Sequence, residues 1–346
     1  MTQLQAQKLP DPNQAPPYAV GGDEPFNLDG CDVPATSSNK QAADIRQFQT
    51  NFSAIPLETF LTLQLPERGY FLEPVIPEQG LIMLFAPTGT GKTYAALSMG
   101  YAVASGGNVF GWQSLEPKRV LYLDGEMSAS AMQDRLSQIV AGSSTQAPEG
   151  FFRIVTPDLV PDGIMPNLAT PEGQKMIEPL LEGVALIVVD NIATLARAGR
   201  ENEAESWLPV QGWLLKQRRE GRSVLLVHHA GKGGNQRGTS AREDVLDTVI
   251  SLTRPSDYQT SDGARFIVTL TKARGLTGQS ADPFEAGITE LSAGGLGWRV
   301  KDLKDARLEQ VRELNGLEMS IRDIAEETGI SKSTVARLIK KLEAEK

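Results

Sequence analysis

The stretch Ala86-Pro87-Thr88-Gly89-Thr90-Gly91-Lys92-Thr93 has the residue types needed to hold a polyphosphate. Gly89 and Gly91 carry no Cβ, so the chain can wrap an anion with its backbone N–H groups turned inward. Lys92 would place a cation on β- and γ-phosphates, and the Thr93 hydroxyl would be a Mg2+ ligand. An apolar run at 81–86 precedes this loop and a helical pattern from Lys92 to about Ala104 follows it. That helix would aim the positive end of its dipole at the same anion. The strict pattern begins with glycine where this chain has Ala86, a position that turns the chain rather than touching phosphate. The alternative is a chance match in a glycine-bearing turn, which would seldom fall between a buried strand and a helix start. ATP with Mg2+ is the expected cofactor pair.

Three further polar groups fall at the ends of apolar runs, where a parallel sheet gathers residues beside such a loop. The run VALIVVD at 184–190 ends in Asp190, a carboxylate placed to hold Mg2+ through water. As Asp-Asn turn chemistry it could instead merely end the strand. RVLYLD at 119–124 is followed by Gly125 and Glu126, and hydrolysis needs a base or positioner for the attacking water. The other reading of Glu126 is a solvated surface acid. SVLLVHH at 223–229 ends in His228 and His229, one of which can reach a γ-phosphate or that water. A histidine pair otherwise serves structure.

Holding these groups together takes strands alternating with helices, hence an α/β fold with a mostly parallel sheet covered on both faces. Helices are expected at 128–140, with Met132, Leu136 and Val140 on one face, and at 170–182, entered through Thr170-Pro171-Glu172. Another is expected at 201–219, with a break or late start at Pro209. A short strand is expected at 151–155. Beyond Thr248 the texture changes to short strands at 248–252, 266–270, 284–291 and 298–300 separated by turn clusters, which reads as antiparallel structure extending the same sheet. Residues 56–61 and 70–72 read as a lead-in packed beside the first core strand. Residues 1–50 are polar, Pro- and Gly-bearing and without apolar periodicity, so a disordered tail is expected, with a docking tail as the alternative.

Residues 303–346 are charged and helical, and 321–340 has the pattern of a helix-turn-helix. Ser320 and Asp323 suit a capping box, Ala325 is small where two helices would cross, and Gly329 permits the turn. Ile330, Val335 and Leu338 would fill the apolar side of the second helix. Lys332, Ser333, Arg337 and Lys341 are left to face outward toward duplex DNA. A helical hairpin used only for packing is the alternative. The expected organisation is a tail at 1–50, an ATPase domain at 51–302 and a DNA-binding module at 303–346.

Composition narrows the class. The chain has 346 residues, 40% of them apolar and 22% charged, which is globular usage. A net charge of −9 argues against coating nucleic acid through bulk charge, though not against local basic loops. The one cysteine, Cys31, has no internal partner, so a reducing cytoplasm is expected. One cysteine and two adjacent histidines offer no zinc-ligand spacing. No apolar run approaches the ~20 residues of a membrane span, so no membrane partner is expected.

The set APTGTGKT (86–93), YLDGE (122–126), LIVVDN (186–191), LLVHHAGKGG (225–234), RGTSA (237–241) and TKARG (271–275) resembles the RecA-like ATPases. It is most similar to the plasmid RepA-type hexameric replicative helicases and, in TKARGLTG, to DnaB-type helicases. The resemblance spans about 56–300 and leaves out the tail and the helix-turn-helix. It implies that Glu126 is the catalytic glutamate and His229 the polar sensor. It also implies that Lys272 and Arg274 reach into a neighbouring subunit's nucleotide, a role suited to a guanidinium spread over γ-phosphate oxygens. A solvated strand end is the other reading of that pair. Two loops would line a ring's central channel around single-stranded DNA: one with Arg197 and Arg200, the other with Lys232 and Arg237. The expected activity is ATP-driven translocation on DNA by a homo-oligomeric ring, a hexamer, acting as a replicative helicase of a plasmid, phage or mobile element. An ATP-switched DNA-binding regulator and a RecA-like signalling ATPase without nucleic acid are the alternatives.

Overall fold

The computed structural model describes residues 54–65, 67–197, 204–230, 244–276, 278–292, 294–317, 319–328 and 330–344. The expected tail and the channel candidates Arg200, Lys232 and Arg237 lie outside the described residues. Two compact units divide the chain, Met1–Pro66 and Glu67–Lys346. In the first, helix α1 (Leu57–Thr62) has no buried residue, and Leu57, Phe60 and Leu61 stand exposed.

The second unit begins with a short antiparallel pair, β1 (Tyr70–Leu72) and β2 (Ile76–Pro77), which buries Phe71 and Leu72 as expected. Then come β3 (Leu81–Ala86), α2 (Lys92–Ser105), and a second small pair, β4 (Asn108–Val109) with β5 (Trp112–Gln113). Next are β6 (Val120–Asp124), α3 (Ala129–Gly142), β7 (Phe152–Val155) and α4 (Pro171–Ile177). They are followed by β8 (Leu186–Asp190), α5 (Ile192–Leu195), α6 (Ala204–Arg219) and β9 (Ser223–His229). Strands β10 (Thr248–Thr253), β11 (Arg265–Ala273), β12 (Phe284–Glu290) and β13 (Leu296–Asp302) lead into the C-terminal helices α7 (Leu303–Gly316), α8 (Ile321–Thr328) and α9 (Lys332–Ala344).

Nine strands make one sheet in the order β13-β12-β11-β10-β3-β9-β8-β6-β7. From β10 to β7 every neighbouring pair is parallel, and from β10 to β13 every pair is antiparallel. Strand β10 corrects the expectation that antiparallel structure starts at Thr248. It runs parallel to β3 and antiparallel to β11, and its first five residues are buried, as an interior strand covered on both faces requires.

Alternate residues of the central strands feed two apolar layers. Ile82, Leu84, Val120, Tyr122, Val188 and Val227 face one layer with α2, whereas Leu81, Met83, Leu121, Leu123, Ile187 and Leu226 face the other with Trp207 and Trp213 of α6. This is why runs such as LIMLFA are apolar throughout rather than alternating. Ser128 and Thr170 cap α3 and α4, the second as its sequence predicts, each accepting a backbone N–H from three residues on. Helix α4 is shorter than expected: it gives way at Glu178 to a 3-10 turn, where Pro179 has no N–H to continue the ladder. Pro209 does not break α6; it lies inside the helix, one turn past its start. Among the described residues no helix is long and apolar enough to cross a membrane.

Candidate functional site

The sheet brings the carboxyl ends of β3, β6, β8 and β9 to one edge. In register, Ala86 pairs with His229, Asp124 with Asp190, and Asp190 with Val227. The loop after β3 therefore meets the polar residues that follow the three neighbouring strands. Gly89 and Gly91 take left-handed φ values of 77° and 108°. A Cβ on Gly91 would come within 2.9 Å of the Ala264 Cβ, so the position tolerates no side chain. Thr90 is buried and donates to the Pro87 carbonyl, which braces the loop from inside. Pro87, Thr88 and Gly89 are exposed on its outer rim.

Lys92 is 6% exposed, and its ammonium donates to the carbonyl oxygens of Ala86 and Pro87 at 3.0 and 2.9 Å. Burial pulls its pKa below the usual lysine value, against the opposing pull of the Asp190 and Glu126 charges. Asp190 is buried, and burial pushes its carboxyl up to about 6 although hydrogen bonds from Tyr122 and Thr93 favour the anion. The Tyr122 hydroxyl lies 2.7 Å from Asp190 Oδ2.

Glu126 is exposed just past β6, on a turn that Asp124 holds in place. The buried Asp124 carboxylate accepts the N–H groups of Glu126 and Met127 and the Thr156 hydroxyl, at 3.4, 3.2 and 3.0 Å. Burial raises the Asp124 pKa in spite of these donors. His229 sits between the walls of the site: its Nε2 is 3.1 Å from Asn191 Nδ2 and 3.9 Å from Glu126 Oε1, and its Nδ1 is 3.5 Å from Thr88 Oγ1. His228 points the other way and is 1% exposed.

The donor set suits Mg2+. A buried carboxylate and a threonine hydroxyl bonded to each other, at the helix start that faces the loop, are hard oxygen ligands of the kind that ion accepts alongside phosphate oxygens. Among the described residues no group of three or more His, Cys, Asp or Glu side chains could hold a metal alone. The ion would arrive with the nucleotide.

One cation here has no motif to announce it. Arg254, the first residue past β10, donates from Nη2 to the Gly89 carbonyl at 3.0 Å, and its guanidinium lies 4.3 Å from the Tyr258 ring centroid. Its neighbourhood depends on β10 pairing with β3, a contact between residues more than 160 positions apart. Asp124, Tyr122 and Asn191 lie inside the YLDGE and LIVVDN motifs, but the sequence assigns none of them a role of its own.

Lys272 and Arg274 are not brought to this edge. Ala273 pairs with Thr248, which pairs with Ile82, so the end of β11 lies at the amino ends of the parallel strands. That is roughly 13 Å of strand from the loop after Ala86. There Arg274 is exposed, its N–H donating to the Asp247 carbonyl and its guanidinium to the Asp244 carbonyl at 2.7 Å. Arg197 is exposed just past α5, and its carbonyl accepts from Asn167.

In the C-terminal helices Ile324, Val335 and Leu342 are buried, with Ala325, Ile330 and Leu338 packed against them, as the pattern predicts. Ser320 accepts the Asp323 N–H at 3.2 Å and donates to its carboxylate. Lys332, Ser333, Arg337 and Lys341 are all exposed.

A glycine loop between a buried strand and a helix, with acidic groups at the ends of β6 and β8 and β3 between β10 and β9, defines a RecA-like P-loop ATPase. The chain belongs to the AAA domain family, which matches residues 48–235. Residues 315–345 match the winged helix-turn-helix DNA-binding family. Among solved structures, a KaiC-like protein of Pyrococcus horikoshii OT3 is 20% identical over 66% of this chain and 93% of its own, with a TM-score of 0.45. The flagellar accessory protein FlaH of Methanocaldococcus jannaschii is 11% identical over 65% and 91%, with a TM-score of 0.46.

Proposed function

We propose that the chain is an ATP-hydrolysing motor that acts on DNA as a closed homo-oligomeric ring, a hexamer, and serves as a replicative helicase of a plasmid, phage or other mobile element. The observation that carries this reading is the position of Lys272 and Arg274, at the opposite pole of the sheet from their own P-loop. A cation there can serve a γ-phosphate only in a neighbouring subunit, and a head-to-tail interface that closes on itself supplies one. In each site the P-loop N–H groups and Lys92 hold the phosphates. Glu126 takes the proton of the attacking water, His229 contacts the water or the γ-phosphate, and the neighbour's Arg274 and Lys272 receive the developing charge. Mg2+, when bound, draws charge from the β- and γ-oxygens; Thr93 would ligate it and Asp190 would hold it through water. Arg197, with Arg200, Lys232 and Arg237, would face single-stranded DNA in the channel, and Lys332, Ser333, Arg337 and Lys341 would face a duplex.

The test is unwinding of a forked duplex. ATP-dependent strand displacement, absent with a non-hydrolysable analogue, is expected; DNA-stimulated ATPase without displacement would count against a helicase.

A second reading, an ATP-switched DNA-binding regulator, has its own support. Ser256, two residues past Arg254, donates to the Thr328 carbonyl at the end of α8, at 3.2 Å. One loop thus touches both the P-loop and the helix-turn-helix. On this reading, ATP would change affinity for a duplex site several-fold and no strand would be displaced.

A further inference from the structure

Tyr122 and Asp190 make a buried polar contact within the site. Tyr122 is fully buried in the middle of β6, and its ring is held against Phe152 at a centroid distance of 6.1 Å. Its register partner on β8 is Val188, and Asp190 is two residues further along the same face. That diagonal is one a long aromatic side chain can span, and the hydroxyl meets Asp190 Oδ2 at 2.7 Å. Thr93 bonds the same carboxylate from the helix that follows the P-loop. The carboxylate is thus gripped from inside the sheet by a group that cannot itself touch nucleotide.

We propose that Tyr122 is a positioning residue for the magnesium-bearing carboxylate: its hydroxyl fixes the rotation of Asp190 and satisfies its inner oxygen, leaving the group set toward Thr93 and the metal water. The inference rests on the reading of Asp190 as the Mg2+-holding carboxylate. Phenylalanine at this position fills the same space but leaves a buried carboxylate oxygen without its donor, where water does not reach. Outer-shell partners of this kind set metal affinity rather than nucleotide contact.

The test uses the full chain and a fluorescent methylanthraniloyl-ATP probe, titrated with Mg2+. Tyr122→Phe is expected to bind the probe like wild type in EDTA, while its half-saturating Mg2+ concentration rises about 10- to 100-fold. Tyr101→Phe is the matched control, since its side chain is buried and its part-buried hydroxyl bonds Gln146 and the Ala147 N–H away from Asp190; it should stay within about twofold of wild type. Asp190→Asn separates the two claims. If it leaves the Mg2+ dependence unchanged, the reading of Asp190 is wrong. If it shifts the dependence and Tyr122→Phe does not, Asp190 keeps its role and the positioning proposal is overturned. An equal shift in Tyr101→Phe also overturns it, as general loosening. Should Tyr122→Phe fail to fold, Tyr122→Met offers a second apolar filling without the hydroxyl, judged by the same titration.

Discussion

At the scale of single residues, the proposed mechanism separates groups that bind from groups that react. Lys92 is held by the loop carbonyls of Ala86 and Pro87 and can turn from them to phosphate without moving the backbone. Lys92→Ala should lower steady-state ATPase by about 10²-fold or more, because the chief cation on the β/γ-phosphates is lost while the fold remains. Glu126 stands at the surface on a turn built by Asp124, so its own removal disturbs no packing. Glu126→Gln should bind ATP as wild type does and turn it over about 10²- to 10⁴-fold more slowly in single-turnover assays. Loss of binding along with turnover would make Glu126 structural. Arg254→Ala should raise KM for ATP several-fold and leave kcat nearly unchanged, since the guanidinium supports the loop at Gly89 rather than the reacting atoms. The gathering of Lys92, Thr93, Glu126 and Asp190 at one edge was legible because each lies at a fixed distance from an apolar run or a glycine. Arg254 and Tyr122 were not, because their partners are defined by strand pairing and not by spacing along the chain.

Elements hold these residues in place from both ends of the sheet. At the end opposite the P-loop, Asp247 accepts the N–H of Leu81, the first residue of β3, and pairs with Arg68 at 3.0 Å. Burial alone would raise its pKa, but Arg68, the Leu81 N–H and Arg218 outweigh burial and hold the carboxyl below its usual range. A folded pKa below the unfolded one means that this tie stabilises the protein above about pH 4 and is lost as pH falls through the folded value. Thermal midpoints of wild type should therefore drop on acidification below that point, and Asp247→Asn should be less stable at neutral pH and flatter in the acid range. The alternation of strands and helices was readable from apolar runs and helix-entry signals, as at Thr170. The parallel pairing of β10 was not, because TVISL is equally apolar in either kind of sheet. Pro209 misled for a related reason: a helix anchored by Trp207 and Trp213 in the core keeps its course through one missing hydrogen bond.

For the molecule as a whole, the C-terminal helices carry their own small core. Removing 303–346 should abolish duplex binding in a mobility-shift assay and leave basal ATPase largely intact. Loss of ATPase in a truncated protein whose parent never bound duplex would make these helices a packing element. The central claim is that each ATP site is completed by a neighbour. It rests on Arg274 lying at the far end of the sheet from its own P-loop, and an arginine supplied across an interface is worth about 10³–10⁵ in rate. The most direct measurement mixes two inactive variants, Arg274→Ala and Lys92→Ala, in varied ratios and follows ATPase. Partial recovery peaking at intermediate ratios is predicted, because some interfaces then join an intact P-loop to an intact Arg274. Mixtures that stay inactive at every ratio although mixed rings form, or a fully active monomer, would contradict the account.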